Sequence, residues 1–148
     1  MSTRKRLVDC ALEVLAHDGV DAVTVRRVAR DAGISHGAPL RHFPNRAALL
    51  SAVASTGYAS LAQRLREAEQ LTAACESYVD FARGGPALFE LMFRQDMAPL
   101  GTEVFEQFRR LVPGSELQAA SLWAALRGLA LLPDAYAVLA VTLEPYVR

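Results

Sequence analysis

The chain has 148 residues, 52% of them apolar and 22% charged, and a formal net charge of zero. That length suits one domain, or two small helical ones sharing a core, and the apolar fraction is ample for burial. Two cysteines without motif spacing argue against a disulfide scaffold or a metal site and for a reducing, cytoplasmic setting, and no apolar run is long enough to span a bilayer.

The zero net charge hides an asymmetry. Residues 1–46 hold eight Arg or Lys against five Asp or Glu, and all three histidines; residues 47–148 hold eight against eleven. A basic head on an acidic body fits a nucleic-acid footprint at one end of the molecule. Pro and Gly act as punctuation, and there is no internal repeat.

A first helix is predicted from Thr3 to His17, with Leu7, Cys10, Ala11, Val14 and Leu15 on its core face and Gly19 as its stop. Asp9 and Glu13 interrupt the apolar run after Arg4, Lys5 and Arg6, which argues against a signal peptide. Val20, Ala22 and Val23 form a short apolar link. Residues 24–43, TVRRVARDAGISHGAPLRHF, then read as two helices around a tight turn. Val25, Val28 and Ala29 give the first its apolar face, and Thr24 is placed to cap it. Gly33 suits the left-handed conformation of the stop, and Ile34 plugs the gap between the helices. Ser35 is the next capping candidate, before a second helix over His36–Phe43 that exposes His36, Gly37, Arg41 and His42. Pro39 sits at the end of its first turn, where it forfeits at most one hydrogen bond.

Such a pair has a physical use. The tip of the second helix enters the DNA major groove while the first crosses the backbone. Small or polar residues at 35–37 allow close approach, and Arg26, Arg27, Arg30, Arg41 and Arg46 supply charge for phosphates. The competing reading is a helical hairpin with a solvated basic face.

Residues 5–53 resemble the N-terminal DNA-binding domain of the TetR family of transcriptional regulators. The helix ending in His-Asp-Gly, the Thr-Val start, Ala-Gly-Ile-Ser, the His-Phe-Pro exit and the following Ala-Leu-Leu helix all occur in register. The resemblance implies DNA contacts from Arg4, Lys5, Thr24, Arg26, Arg27, Ser35, His36, Gly37, Leu40, Arg41, His42 and Arg46. Within that set His42 matches a phosphate-reaching histidine, and Arg46 stands where relatives usually carry a lysine. Leu40 replaces a tyrosine that touches the DNA backbone in many relatives, and it cannot donate that hydrogen bond.

Asn45 is placed to cap a long helix from Arg46 to about Gln70 that links head to body, with Gly57 as a candidate bend. Body helices are predicted near 73–83, 86–94, 102–111, 116–131 and 134–147. SYVDFARGGPALFELMF and LWAALRGLALL resemble the C-terminal domain of a TetR subgroup whose second motif commonly reads Trp followed by His-Gly. Here Arg127-Gly128 stands at that pair. The links near 70–75 and 111–117 are shorter than such relatives usually have.

The expectation is an all-α chain: a three-helix helix-turn-helix head over residues 1–46 and a helical ligand-binding and dimerisation body over 47–148. Phe89, Met92, Phe93, Phe105 and Trp123 are the candidates to line a cavity for a small apolar effector, against the alternative of a plain packed core. Leu122, Ala125, Leu126, Leu129, Val138, Leu139 and Thr142 are the candidates for a homodimer interface built as a four-helix bundle, against the alternative of an inner wall of the monomer. The function expected is that of a regulator, read as a repressor, that binds palindromic operator DNA as a dimer and is released by the effector. The competing function is a dimeric ligand-binding protein with weakened or lost DNA binding. With no nucleophile pair, metal-ligand spacing or glycine-rich phosphate loop, neither catalysis nor a cofactor is expected.

Overall fold

A computed structural model describes residues 1–35 and 37–148. His36, read above as a DNA contact, lies outside the described residues. The described chain is all helix and loop. Its nine α-helices are α1 (Thr3–Asp18), α2 (Val25–Asp31), α3 (Ala38–His42), α4 (Arg46–Glu67), α5 (Leu71–Gly84), α6 (Pro86–Met92), α7 (Thr102–Arg109), α8 (Glu116–Leu129) and α9 (Ala135–Leu143). None of the described helices is long and apolar enough to cross a membrane.

Side-chain caps set the starts of four of these helices. Ser2, Thr24 and Asn45 accept from the backbone amides of Lys5, Arg27 and Ala48 and cap α1, α2 and α4. Ser115 and Gln118 form a reciprocal capping box at the start of α8. Gly33 takes φ +67° in the turn after α2, the left-handed conformation that favours glycine. One sequence expectation fails here. Ser35 does not cap α3 with its side chain; α3 starts at Ala38, and the Ser35 carbonyl accepts from the Ala38 amide at 3.3 Å. Pro39 therefore falls in the first turn, where its missing N–H breaks no helical bond.

α4 is the hub, packing against α1, α5, α6 and α7. It runs unbroken through Gly57, so that glycine marks close packing and not a helix end. A Cβ there would lie 2.5 Å from Met92 Sδ and 3.1 Å from Leu88 Cδ1, so the bare backbone lets α6 approach. The buried apolar side chains form one cluster running from Leu7 to Leu143. In the body it centres on Tyr78, fully buried, with ring centroids of Phe89 at 5.6 Å and Trp123 at 5.1 Å in edge-on geometry. Cys75 is buried beside it, and burial pushes its thiol up to about 12; Cys10 is only partly buried, and both are free.

Candidate nucleic-acid interface and body cavity

The head presents its charge in two ways. Arg26, Arg41 and His42 are exposed, as are Ser35 and Gly37 beside them. Neither Arg26 nor Arg41 forms an ion pair among the described residues. Leu40 is 58% exposed, an apolar side chain facing solvent on the same short helix. Arg4 is exposed too, its guanidinium 5.1 Å from the centroid of the buried Phe43 ring, while Lys5 pairs with Asp9 at 2.7 Å.

The remaining predicted contacts are committed inside the head. Arg27 donates to Asp31 at 2.9 Å and to Asp18 at 2.5 Å, tying α2 to the end of α1. The hydrogen bond from Arg27 holds the Asp31 carboxyl below the usual carboxylate range. Arg46 donates through Nε to the Val23 carbonyl at 2.8 Å and through Nη2 to the Val20 carbonyl at 2.7 Å. It thereby pins the start of α4 to the 3-10 turn Val20–Ala22, sharing the Val20 carbonyl with the Val23 amide at 3.1 Å. The Thr24 hydroxyl is engaged in capping. The Thr24 cap was legible in the sequence, whereas Arg27 and Arg46 reach groups that only the fold brings near, a demand invisible in a motif.

In the body, a cavity of ≈ 640 Å³ opens between α4, the end of α6, α7 and α8. Tyr58, Phe93, Thr102, Phe105, Trp123 and Arg127 line it. Trp123 stands 5.9 Å from Phe105 and 6.2 Å from Phe93, centroid to centroid. The Tyr58 hydroxyl donates to the Met92 carbonyl at 2.5 Å. Arg127 donates through Nη2 to the Phe93 carbonyl at 2.7 Å, with its guanidinium carbon 5.3 Å from the Phe93 centroid. Behind this wall, the buried Tyr78 hydroxyl has no hydrogen-bond partner among the described residues.

Three of the five predicted cavity residues, Phe93, Phe105 and Trp123, line this space. Phe89 and Met92 do not. They are buried against Tyr78 and Gly57, on the side of α6 that faces the core. Tyr58 and Arg127 were missed as lining residues. For Arg127 a signal existed, a lone charge inside the apolar run from Leu122 to Leu132; for Tyr58, at regular helical spacing in α4, there was none.

Four of the seven predicted dimer residues also need correction. Leu122, Leu126, Leu129 and Leu139 are buried in the chain's own core, and Ala125, Val138 and Thr142 are half-buried. Leu122, Leu126, Leu129 and Leu139 went inward because burying them removes apolar surface from water, while Tyr136 on α9 stays 48% exposed. The outward face carries Leu117 (82% exposed) and Ala120 on α8, with Ala137, Ala140 and Val141 (66% exposed) on α9, while Ala124 and Gly128 border the cavity.

Comparison with known proteins agrees with this geometry. Residues 7–53 match the family model of bacterial regulatory proteins, tetR family. Two HTH-type transcriptional regulators of Pseudomonas putida, SrpR and TtgW, are each 43% identical to the chain over 51 residues, 34% of its length. The matched stretch spans only 24% of SrpR and 38% of TtgW. Over nearly the whole chain the fold is shared with solved structures. A protein of unknown function from Rhodococcus sp. RHA1 has a TM-score of 0.79 at 26% identity, covering 96% of this chain and 92% of that one. A TetR-family member from Streptomyces coelicolor A3, SCO1917, has a TM-score of 0.77 at 19% identity over 99% and 100%. The multidrug binding protein EbrR, complexed with imidazole, has a TM-score of 0.74 at 20% identity over 100% and 97%.

Proposed function

We propose that this chain, a TetR-family regulatory protein by its residues 7–53, binds operator DNA as a homodimer and releases it when a small molecule occupies the body cavity. The observation that carries the reading is the pair α2–α3. A left-handed turn at Gly33 joins the helices, and Arg26, Arg41 and His42 stand exposed around the short second helix. That arrangement lets α3 enter a major groove while cations flank it to meet phosphates. Ser35 and Gly37 supply the small or polar tip.

One such head makes few contacts, so two are needed. The outward faces of α8 and α9 are rich in small residues and carry exposed Leu117 and Val141, a surface suited to a copy of itself. A two-fold bundle there sets the two α3 helices about 34–36 Å apart, one helical turn of DNA, on a palindromic site. Bound at a promoter, the dimer represses, and it works in the bacterial cytoplasm. A ligand acts by its differential affinity for the DNA-spaced and displaced arrangements of the heads. EbrR, of like fold, is complexed with imidazole and with ethidium, which supports a small-molecule role for the body here.

Titration of the protein into DNA from upstream of its gene, at several salt concentrations, tests the reading. Sequence preference with a steep salt slope is expected. Leu40 favours a second reading, a ligand-binding dimer with weakened DNA recognition, because it exposes an apolar group where relatives hydrogen-bond the DNA. Equal affinity for upstream and unrelated DNA would select that second reading.

A further inference from the structure

We infer that the effector of the body cavity is an aromatic or bulky apolar acid, whose anionic group is received by Arg127. This deepens the ligand-responsive reading above and rests on it. Among the lining residues, Arg127 is the sole charged side chain, and no carboxylate faces the cavity from α4, α6, α7 or α8. Nor does any carboxylate pair with Arg127 among the described residues; its recorded hydrogen bond, through Nη2, goes to the neutral Phe93 carbonyl at 2.7 Å. The guanidinium therefore keeps most of its donors for solvent. Its position is not loose: that bond and the Phe93 ring, 5.3 Å from Cζ, hold it at the cavity wall.

The selectivity follows from desolvation. Arg127 is exposed overall, so a molecule filling the space beside Phe93, Phe105 and Trp123 displaces water only from its cavity-facing donors. A neutral hydrocarbon leaves those donors without a partner, and an organic cation adds repulsion. A carboxylate replaces the lost water with a charge-assisted, two-pronged hydrogen bond. The aromatic walls then take the apolar part, and ≈ 640 Å³ accommodates a drug-sized body.

The experiment uses three probes of one shape: 4-tert-butylbenzoate, 4-tert-butylbenzamide and 4-tert-butylbenzylammonium. Each is titrated into the full chain at pH 7 by calorimetry and by the emission of Trp123, the single tryptophan and itself a cavity wall. The benzoate is expected to bind at least about tenfold more tightly than the amide, with the ammonium weakest. Arg127→Gln should erase the gap between benzoate and amide, and Arg127→Lys should keep part of it. Equal binding by all three, binding led by the ammonium, or no binding of any probe overturns the assignment. So does an unchanged ranking in Arg127→Gln; if that variant does not fold, the ranking in the unaltered protein still decides. Operator affinity is measured in parallel. Benzoate binding that leaves DNA affinity unchanged would remove the ligand-release reading while keeping the anion site, whereas charge-blind binding that releases DNA does the reverse.

Discussion

Replacing Arg41 with Gln should change how DNA affinity responds to salt, and replacing Arg27 with Gln should not. Arg41 is exposed and unpaired among the described residues, whereas Arg27 is committed to Asp18 and Asp31 at 2.5 and 2.9 Å. A cation on a phosphate releases condensed counterions, and each such contact contributes about −0.9 to the slope of log affinity against log salt. A dimer uses each residue twice, so Arg41→Gln should flatten the slope by about 1.8, and between 50 and 200 mM salt the variant should lose roughly tenfold less affinity than the parent. Arg27→Gln should leave the slope alone and instead loosen the joint between α1 and α2. Fluorescence anisotropy of a labelled operator at four or five salt concentrations measures both. Equal slope changes in the two variants, or none in Arg41→Gln, would refute the division between free and internally committed arginines.

Other outcomes follow from particular contacts. Tyr58→Phe removes the donor to the buried Met92 carbonyl and should destabilise by about 1–3 kcal/mol, read as a fall of roughly 2–10 °C in thermal midpoint. Val141→Glu, on the outward face of α9, should dissociate the dimer in sedimentation and weaken operator binding without lowering the helical signal, because the side chain already meets solvent in the single chain. Leu122→Ala should instead act on the monomer's core, costing about 2–5 kcal/mol in denaturant unfolding. Asp31 has a folded pKa below its unfolded value, so its contribution to stability is present above about pH 4 and is lost as pH falls through the folded value. The difference between the parent and Asp31→Asn should therefore be steady near neutrality and shrink in acid, by urea unfolding at stepped pH.

Helix identity and turn chemistry were legible in residue order because both are local. A 3.6-residue period names an apolar stripe, Thr24 and Asn45 cap the amides three residues on, and Gly33 turns left-handed where few other residues can. The helix-turn-helix pattern lies within twenty consecutive residues, so its chemistry could be read before any packing was known. Periodicity finds a stripe but not its partner. On α8 it selected Leu122, Leu126 and Leu129, and only tertiary packing showed these buried where α8 meets α5, α7 and α9, leaving Leu117 and Ala120 outside. Tyr58 and Arg127 are 69 positions apart, and they share a cavity because α4 and α8 both border the space beside Phe93. Arg27 and Arg46 likewise looked free in sequence, and became tethers once the fold brought turn carbonyls and carboxylates within reach. Short-range hydrogen bonding and periodicity belong to the chain order; who faces whom across a core depends on distances that exist only after folding.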